Sequence, residues 1–96
     1  YLVDLKKVEI LDIIVDNIEY YRKIYKISKF NLSNEAQIGK NTIYEITKKQ
    51  YMPSIYILHK ISKSLGIPIE LLFIPKDVED YKPIIDLIIK IHKINL

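Results

Sequence analysis

The sequence contains no cysteine, and only two of its 96 residues are glycine. Without cysteine the chain has no disulfide framework, no thiolate nucleophile and no cysteine-based zinc site. The scarcity of glycine, together with 49% hydrophobic residues, argues against a loop-rich or disordered chain. A chain of this length is expected to form a single small domain, residues 1–96, around a modest core.

The sequence also lacks any segment that would direct it to a membrane or out of the cell. No apolar run approaches the roughly 20 residues that a membrane-spanning helix needs. The first residues show no basic region followed by an apolar segment and a cleavage site. Together with the absence of cysteine, this predicts a cytoplasmic protein without membrane contact.

Residues that support catalysis or metal binding are sparse and scattered. No glycine-rich phosphate loop, nucleophile elbow or paired acid and base is present. His59 and His92 lie on different predicted helices with no carboxylate or cysteine at ligand spacing, which favours ordinary surface or core roles over metal binding. The sequence therefore predicts no enzyme, no cofactor and no metal site.

The net charge of the chain is only +3, but the positive charge is concentrated in its middle. Between Asp16 and Phe73 there are nine basic residues and five acidic ones. A basic excess confined to one region is typical of a surface that meets nucleic acid, although a modest net charge alone is weak support.

Apolar residues recur at spacings of three and four, and no stretch alternates as a strand would, so the sequence predicts an all-α domain. A first helix, or two abutting ones, starts near Asp4; Ser28 caps a short second helix, and a third begins at Lys40. Pro53 is predicted to be the first residue of a fourth helix that Gly66 ends. The predicted inner stripes are Leu5, Val8, Leu11, Ile14, Ile18, Tyr21 and Ile24 or Tyr25 in the first helix; Leu32, Ala36 and Ile38 around the second; and Ile55, Leu58, Ile61, Ser62 and Leu65 in the fourth.

A short fifth helix is predicted in "IPIELLF", and residues 76–96 form a further helix that is apolar on more than one side. Burial of this excess apolar surface makes residues 76–96 a candidate dimerisation element. Its candidate contact residues are Ile85, Ile88 and Ile89. The alternative is that the N-terminal segment, residues 1–14, covers the spare face within one monomer.

Three segments resemble the lambda-repressor and Cro family of helix-turn-helix domains, also called the Xre type. They are "NIEYYRK" at the end of the first helix, "SKFNLSNEAQIGKNTIYEI" in the bihelical unit, and "MPSIYILHKISKSLGIPIELLF" in the last two helices. The resemblance covers residues 17–73 and implies a five-helix repressor-like core with extra helical segments at both ends of the chain. It also implies that the helix around residues 40–47 enters the major groove of DNA.

Several positions depart from this family pattern. Gln37 occupies a turn position that normally holds glycine, and Gly39 stands where serine or threonine commonly caps the third helix. Thr47 replaces an acidic residue that often pairs with the arginine of the first helix, so Arg22 needs another partner, such as a backbone carbonyl or a phosphate. Ser33 matches the small residue that lets the two helices approach.

The resemblance also implies which side chains would contact DNA. Lys40, Asn41 and Glu45 suit guanine, adenine and cytosine edges respectively, and Tyr44 either contacts a thymine methyl group or packs across its own helix. Phosphate contacts are expected to position the domain on the duplex. The predicted base-contacting residues are Lys40, Asn41, Tyr44 and Glu45, and the predicted phosphate-contacting residues are Lys29, Thr42, Lys48, Lys49 and Tyr51.

Taken together, the sequence predicts a sequence-specific, double-stranded DNA-binding transcription regulator, repressor-like, that acts as a homodimer. Two alternatives stay open. The same scaffold can serve as a protein-interaction or antitoxin-like module that binds a partner through apolar terminal helices, or the chain can be the DNA-binding head of a longer regulator. The operator, the regulated genes and any inducer are not readable from the chain.

Overall fold

The computed structural model describes residues 7–75 and 89–91, with side chains from Ile10 onward. Within residues 7–75 the chain forms four α-helices followed by one 3₁₀ helix, and no strand. The elements are α1 (Lys7–Ile24), α2 (Lys29–Glu35), α3 (Thr42–Thr47), α4 (Ile55–Leu65) and the 3₁₀ helix (Ile69–Phe73). The predicted all-α, five-helix order is confirmed, and α1 is one continuous helix. The proposed cap Asp4 lies outside the described residues.

Serine side chains begin two of the helices. The hydroxyl of Ser28 accepts a hydrogen bond from the backbone amide of Asn31, 3.0 Å away, as predicted for the cap of α2. The hydroxyl of Ser54 accepts from the amide of Ile57 at 3.2 Å and caps α4. The prediction that Pro53 is the first helical residue of α4 is therefore wrong, because the serine that follows it satisfies the free amide of the first turn.

All the described helices contribute to one hydrophobic core. Helix α1 lies against the 3₁₀ helix and α3, and α2 packs on both α3 and α4. The core residues are Leu11, Ile14, Val15, Ile18, Tyr21, Leu32, Ile43, Ile46, Leu58, Ile61, Leu65, Ile67, Leu71 and Leu72. Burial of each large aliphatic side chain in this core contributes about 1.5–3 kcal/mol before entropy is subtracted. The core therefore holds α2 and α3 in a fixed relative orientation.

The predicted inner stripes fail at the ends of two helices. Ile24 and Tyr25 are 51% and 54% exposed, because α1 ends at Ile24 and the chain turns away from the core there. Ile55 is 66% exposed, because it occupies the first turn of α4, at the edge of the stripe formed by Leu58 and Ile61. Periodicity alone places these residues inward, but helix ends extend past the neighbours that would cover them.

Each of the four α-helices is followed, within two residues of its end, by a residue in the left-handed conformation. These residues are Lys26, Gln37, Lys49 and Gly66, with φ of 55°, 58°, 60° and 70°. At every one of them the amide bonds to the carbonyl three residues earlier, and the next amide bonds to the carbonyl five residues earlier. This is the Schellman pattern, which satisfies the last carbonyls of a helix. Gly66 ends α4 as predicted, while the three non-glycine residues adopt a conformation disfavoured by their Cβ atoms.

The turn between α2 and α3 contains the strained Gln37 at the position where glycine is expected. Ser33, which is fully buried, accepts a hydrogen bond at its hydroxyl from the amide of Ile43 at 3.2 Å. One small side chain thus allows α2 and α3 to approach and satisfies a free amide at the start of α3. From α4, the ammonium of Lys60 lies 3.4 Å from the carbonyl oxygen of Gln37. These contacts hold the turn in place despite its unfavourable φ.

Replacing Gln37 by glycine is expected to stabilise the domain. Glycine removes the cost of the left-handed conformation, about 1–2 kcal/mol. It also raises the entropy of the unfolded chain, which lowers the stability by about 0.4–1 kcal/mol. The expected net gain is roughly 0.5–1 kcal/mol, measured as an increased free energy of unfolding in urea. Glu35→Gly, placed two residues earlier inside α2, is the matched control and is expected to destabilise by about 1 kcal/mol. Equal losses for both variants would contradict the strain at Gln37.

The C-terminal dimerisation prediction falls mostly outside the described residues. Ile85 and Ile88 are not described, whereas Ile89 is half-buried and packs against the core of its own chain. Packing within the monomer accounts for the burial of Ile89 without a second copy. Ile91 is exposed. In the described part of the chain, no helix is both long and apolar enough to cross a membrane.

Candidate nucleic-acid interface

Helix α3 has one buried face and one exposed face. Ile43 and Ile46 are fully buried, so the rest of the helix surface points outward. The predicted base-contacting residues Asn41, Tyr44 and Glu45 are all exposed. They share an open surface depression with Lys48 and Gln50. The structure therefore places three of the four predicted base-contacting residues on one accessible surface.

The start of α3 differs from the prediction. The helix begins at Thr42, so Lys40 and Asn41 lie in the preceding turn. Gly39 is not the cap, because the N-cap residue is Asn41, and its side chain makes no capping hydrogen bond. Ser33 satisfies an amide of the first turn instead. The exposed side chains of Lys40 and Asn41 thus precede α3, at its N-terminal end.

Lys29 and Tyr44 meet across the two helices of the bihelical unit. The ammonium of Lys29, in the first turn of α2, lies 5.2 Å from the centre of the Tyr44 ring on α3. A cation at this distance from a ring face is attracted by the aromatic quadrupole. Tyr44 is still 43% exposed, so its packing against Lys29 leaves part of the ring accessible. Lys29, a predicted phosphate-contacting residue, therefore packs against Tyr44, a predicted base-contacting residue.

Arg22 forms hydrogen bonds with two residues that are close to it in sequence, Glu19 and Ile27. Its guanidinium donates two hydrogen bonds to the carboxylate of Glu19, both 2.9 Å, and a third to the carbonyl oxygen of Ile27 at 3.0 Å. The hydrogen bond from Arg22 lowers the pKa of Glu19 against the opposing effect of burial. Because Ile27 follows α1 and precedes the Ser28 cap, Arg22 fixes the turn that leads to Lys29. One of the two alternatives for Arg22, a backbone carbonyl, is thus realised.

Lys49 is engaged with α1. Its ammonium forms an ion pair with the carboxylate of Asp12, and both side chains are close to half exposed. The hydrogen bond and charge of Asp12 raise the pKa of Lys49. The left-handed backbone of Lys49 at the end of α3 turns the chain where this pair forms. A phosphate would have to compete with Asp12 for Lys49, whereas Lys48 lines the depression beside Asn41. Sequence spacing contains no signal for this pair, which joins residues 37 positions apart.

Tyr51 and Thr42 are neighbours at the edge of the exposed face of α3. A side-chain hydrogen bond links them, and partial burial is the main cause of the raised pKa of Tyr51, with a smaller contribution from the Glu45 carboxylate. Tyr51 is 39% exposed and Thr42 is half-buried. Both predicted phosphate-contacting residues therefore border the exposed face of α3, and Thr42 already has a partner.

A metal site does not emerge from the described residues. In residues 7–75 and 89–91, no group of three or more histidine, cysteine, aspartate or glutamate side chains is close enough to hold an ion.

The geometry defines a class of protein. Two short helices, α2 and α3, are joined by a tight turn and pack together at Ser33. Helix α3 presents a polar face that lysines flank. This is the helix-turn-helix arrangement. The model of the bacteriophage CI repressor helix-turn-helix domain matches residues 16–80, and the chain belongs to this family. The domain is therefore a DNA-binding helix-turn-helix module of the type found in transcription regulators.

Similar proteins agree with this assignment. The chain is 33% identical over 64 residues to an uncharacterised helix-turn-helix transcriptional regulator of Methanocaldococcus jannaschii, covering 67% of this chain and 97% of that protein. Its fold is similar to the crystal structure of a hypothetical transcription factor from Neisseria, with a TM-score of 0.69 at 16% identity, covering 79% of this chain and 85% of that one. The second similarity supports the fold alone.

Proposed function

We propose that this chain is a sequence-specific, double-stranded DNA-binding regulator that acts as a homodimer and places α3 in the major groove. The observation that carries the proposal is the exposed face of α3, where Asn41, Tyr44 and Glu45 lie together beside Lys48. Amide, phenol, carboxylate and ammonium groups supply the donors and acceptors that base edges require.

The phosphate-contacting role is proposed for side chains that border this face. Lys29 is held over Tyr44, and Lys48 lies at the last turn of α3, so the two ammonium groups flank the base-reading residues. Thr42 and Tyr51 are proposed to contribute neutral donors on the same side. Lys49 is proposed as a weaker contact, because its ion pair with Asp12 must open or be shared.

Selection from a library of random duplexes is the experiment that tests the proposal. Bound duplexes are expected to be enriched for an inverted repeat whose half-sites lie about 34 Å apart, because a twofold dimer presents its two recognition helices one turn of DNA apart. Enrichment of a single unrepeated site would support DNA reading without the homodimer. Absence of any enriched sequence would favour the protein-interaction module, the alternative function for this scaffold.

Replacing Asn41 by alanine is expected to relax the preference at one base position while non-specific affinity changes little. Asparagine can pair with adenine through two hydrogen bonds, and such a pair discriminates by about 1–3 kcal/mol. Because Asn41 makes no capping hydrogen bond, the substitution should not weaken α3. The selection is repeated with the variant and with Asn34→Ala, an exposed asparagine on α2. An unchanged preference at every position would remove Asn41 from the reading set.

A further inference from the structure

Arg22 is the only arginine among the 15 lysine and arginine residues of the chain. It lies in the last turn of α1, where its guanidinium binds both oxygens of the Glu19 carboxylate and the carbonyl oxygen of Ile27. The side chains of Arg22 and Glu19 are only 16% and 22% exposed. A planar guanidinium satisfies these acceptors together, whereas a lysine ammonium is a point charge without the two-pronged geometry. The position therefore requires the shape of arginine as well as its charge.

Arg22 binds the backbone of Ile27 at both of its polar groups. The amide of Ile27 donates to the carbonyl oxygen of Arg22 at 3.1 Å, and the carbonyl oxygen of Ile27 accepts from the guanidinium at 3.0 Å. Lys26, the residue before Ile27, has a φ of 55°, a conformation that its Cβ atom disfavours. The bonds from Arg22 therefore stabilise an unfavourable turn that leads directly to the Ser28 cap and to Lys29 at the start of α2.

The Glu19 and Arg22 side chains also interact electrostatically with residues of α2 and α3. The pKa of Glu19 is lowered mainly by its hydrogen bond with Arg22, and the charge of Lys29 lowers it further. The pKa of Arg22 is raised mainly by its hydrogen bond with Glu19, and Tyr44 contributes in the same direction. Lys29 and Tyr44 in turn pack against each other. These four residues, Glu19, Arg22, Lys29 and Tyr44, are called here the α1–α3 cluster.

The α1–α3 cluster restrains Lys29 before any ligand is bound. A lysine side chain loses conformational freedom when it is fixed on a phosphate, and this loss reduces what the contact contributes to binding. Lys29 is half-buried and lies above the Tyr44 ring, so part of this freedom is already lost in the free protein. Such preorganisation raises affinity without adding a contact.

On these grounds we infer that Glu19 and Arg22 are positioning residues for DNA binding, which hold the ammonium of Lys29 in place for a phosphate. Neither of the two needs to contact DNA, because they act through the turn at Ile27 and through the charge of the carboxylate. The inference rests on the proposed function and adds the residues that prepare its contact on α2.

The position of Lys29 in the free protein provides the first test, because protons above an aromatic ring resonate upfield of their usual values. In an NMR spectrum, the methylene protons next to the Lys29 ammonium are expected upfield of those of Lys63, an exposed lysine. In Arg22→Lys and in Glu19→Gln, this signal is expected to move toward its position in Tyr44→Leu, the variant without the ring.

Lys23→Arg and Glu35→Gln are the matched controls, because both residues are exposed and lie outside the α1–α3 cluster. Both controls are expected to leave the Lys29 signal unchanged. A signal in Arg22→Lys and Glu19→Gln equal to that of the natural chain would overturn the inference. The spectrum requires no DNA, so it decides the positioning role separately from the proposed function, which fails instead if the natural chain binds no duplex.

DNA affinity provides a second readout, which separates positioning from charge and from folding. Arg22→Lys conserves the charge and is expected to weaken binding to a random-sequence duplex about threefold, and by no more than Lys29→Ala does. In the Lys29→Ala background the same change should weaken binding by less than about 1.5-fold, because the residue that it positions is gone. An effect that persists in full without Lys29 would overturn the inference, since Arg22 would then contact the duplex itself or support the whole domain.

Glu19→Gln is expected to change affinity in the direction opposite to that of simple electrostatics. Removal of an acidic group near DNA strengthens binding by itself, and Glu35→Gln measures this effect at an exposed site. Loss of positioning is expected to make Glu19→Gln weaken binding about twofold instead. Stronger binding by Glu19→Gln would contradict the inference. Circular dichroism at the assay temperature checks that the variants are folded, and Glu19→Gln carries both tests if Arg22→Lys does not fold.

Discussion

Replacing Asn17 by alanine is expected to lower the free energy of unfolding by about 3 kcal/mol, among the largest effects of any single substitution outside the hydrophobic core. The side-chain amide of Asn17, which is only 1% exposed, donates to the carbonyl oxygens of Leu72 at 2.8 Å and Ile74 at 3.0 Å. These two bonds join the middle of α1 to the end of the 3₁₀ helix, across 55 and 57 positions of sequence.

The expected loss follows from the acceptors that remain after the substitution. A buried carbonyl that loses its donor costs about 1–3 kcal/mol, and alanine also leaves unfilled space at a position that is only 1% exposed. For a domain of this size the melting temperature is expected to fall by roughly 12 °C or more. Asn17→Leu separates the two causes, because leucine restores the volume without restoring the donor.

Thermal and urea unfolding of Asn17→Ala, Asn17→Leu and the exposed control Asn34→Ala measure these contributions. Both Asn17 variants should be destabilised, with leucine losing at least about 2 kcal/mol from the unpaired carbonyls alone, and Asn34→Ala should stay within about 0.5 kcal/mol of the natural chain. If Asn17→Leu proved as stable as the natural chain, the two hydrogen bonds would have no net value. The oxygen of Asn17 has no hydrogen-bond partner in the described structure, so the donor side carries the whole prediction.

Features encoded within one element were predicted well from the sequence. Ser28 begins α2 by accepting a hydrogen bond at its hydroxyl, and Gly66 ends α4 in the left-handed conformation. Both predictions are confirmed. The buried face of α3 follows from the spacing of Ile43 and Ile46. Gln37, which occupies the turn position that normally holds glycine, has a φ of 58°, because the geometry of the helix end sets that angle.

Features that join distant elements were not predictable from the sequence. The partners of Asn17 and the ion pair between Asp12 and Lys49 depend on how α1 packs against the rest of the fold. Spacing assigns a side chain to a face but does not state where that face ends, so it predicts an inward position for Ile55, which is exposed. The prediction of DNA-contacting residues has the same limit. The sequence does not show whether a lysine forms an ion pair with a carboxylate of another helix, as Lys49 does with Asp12.

Removing Lys29 and Lys48 together is expected to flatten the dependence of DNA affinity on salt by about 2 in the slope of log affinity against log salt concentration. Each phosphate neutralised by a lysine contributes about 0.9 to this slope through release of counterions from the duplex. Both ammonium groups flank the exposed face of α3, Lys29 above the Tyr44 ring and Lys48 beside Asn41.

Lys49→Ala alone is expected to change the slope by well under the 0.9 or so of a full contact, because Asp12 already neutralises this ammonium in the free protein. The triple variant, which combines Lys49→Ala with the changes at Lys29 and Lys48, should therefore reduce the slope by more than the double variant but by less than about 3. Asp12→Asn tests the same ion pair from its other side. It releases Lys49 without removing it, so the slope should steepen if the freed ammonium reaches a phosphate.

Fluorescence anisotropy with a random-sequence duplex between low and moderate salt measures these slopes without knowledge of the operator. Lys63→Ala is the control, because this exposed lysine lies on α4 in a groove beside Glu35 and Tyr56, away from the residues that line the α3 depression. Its slope should equal that of the natural chain. Equal slopes for the double variant and this control would place Lys29 and Lys48 in bulk solvent and remove α3 as the surface that approaches DNA. A full contribution from Lys49 would instead show that phosphate displaces Asp12 on binding.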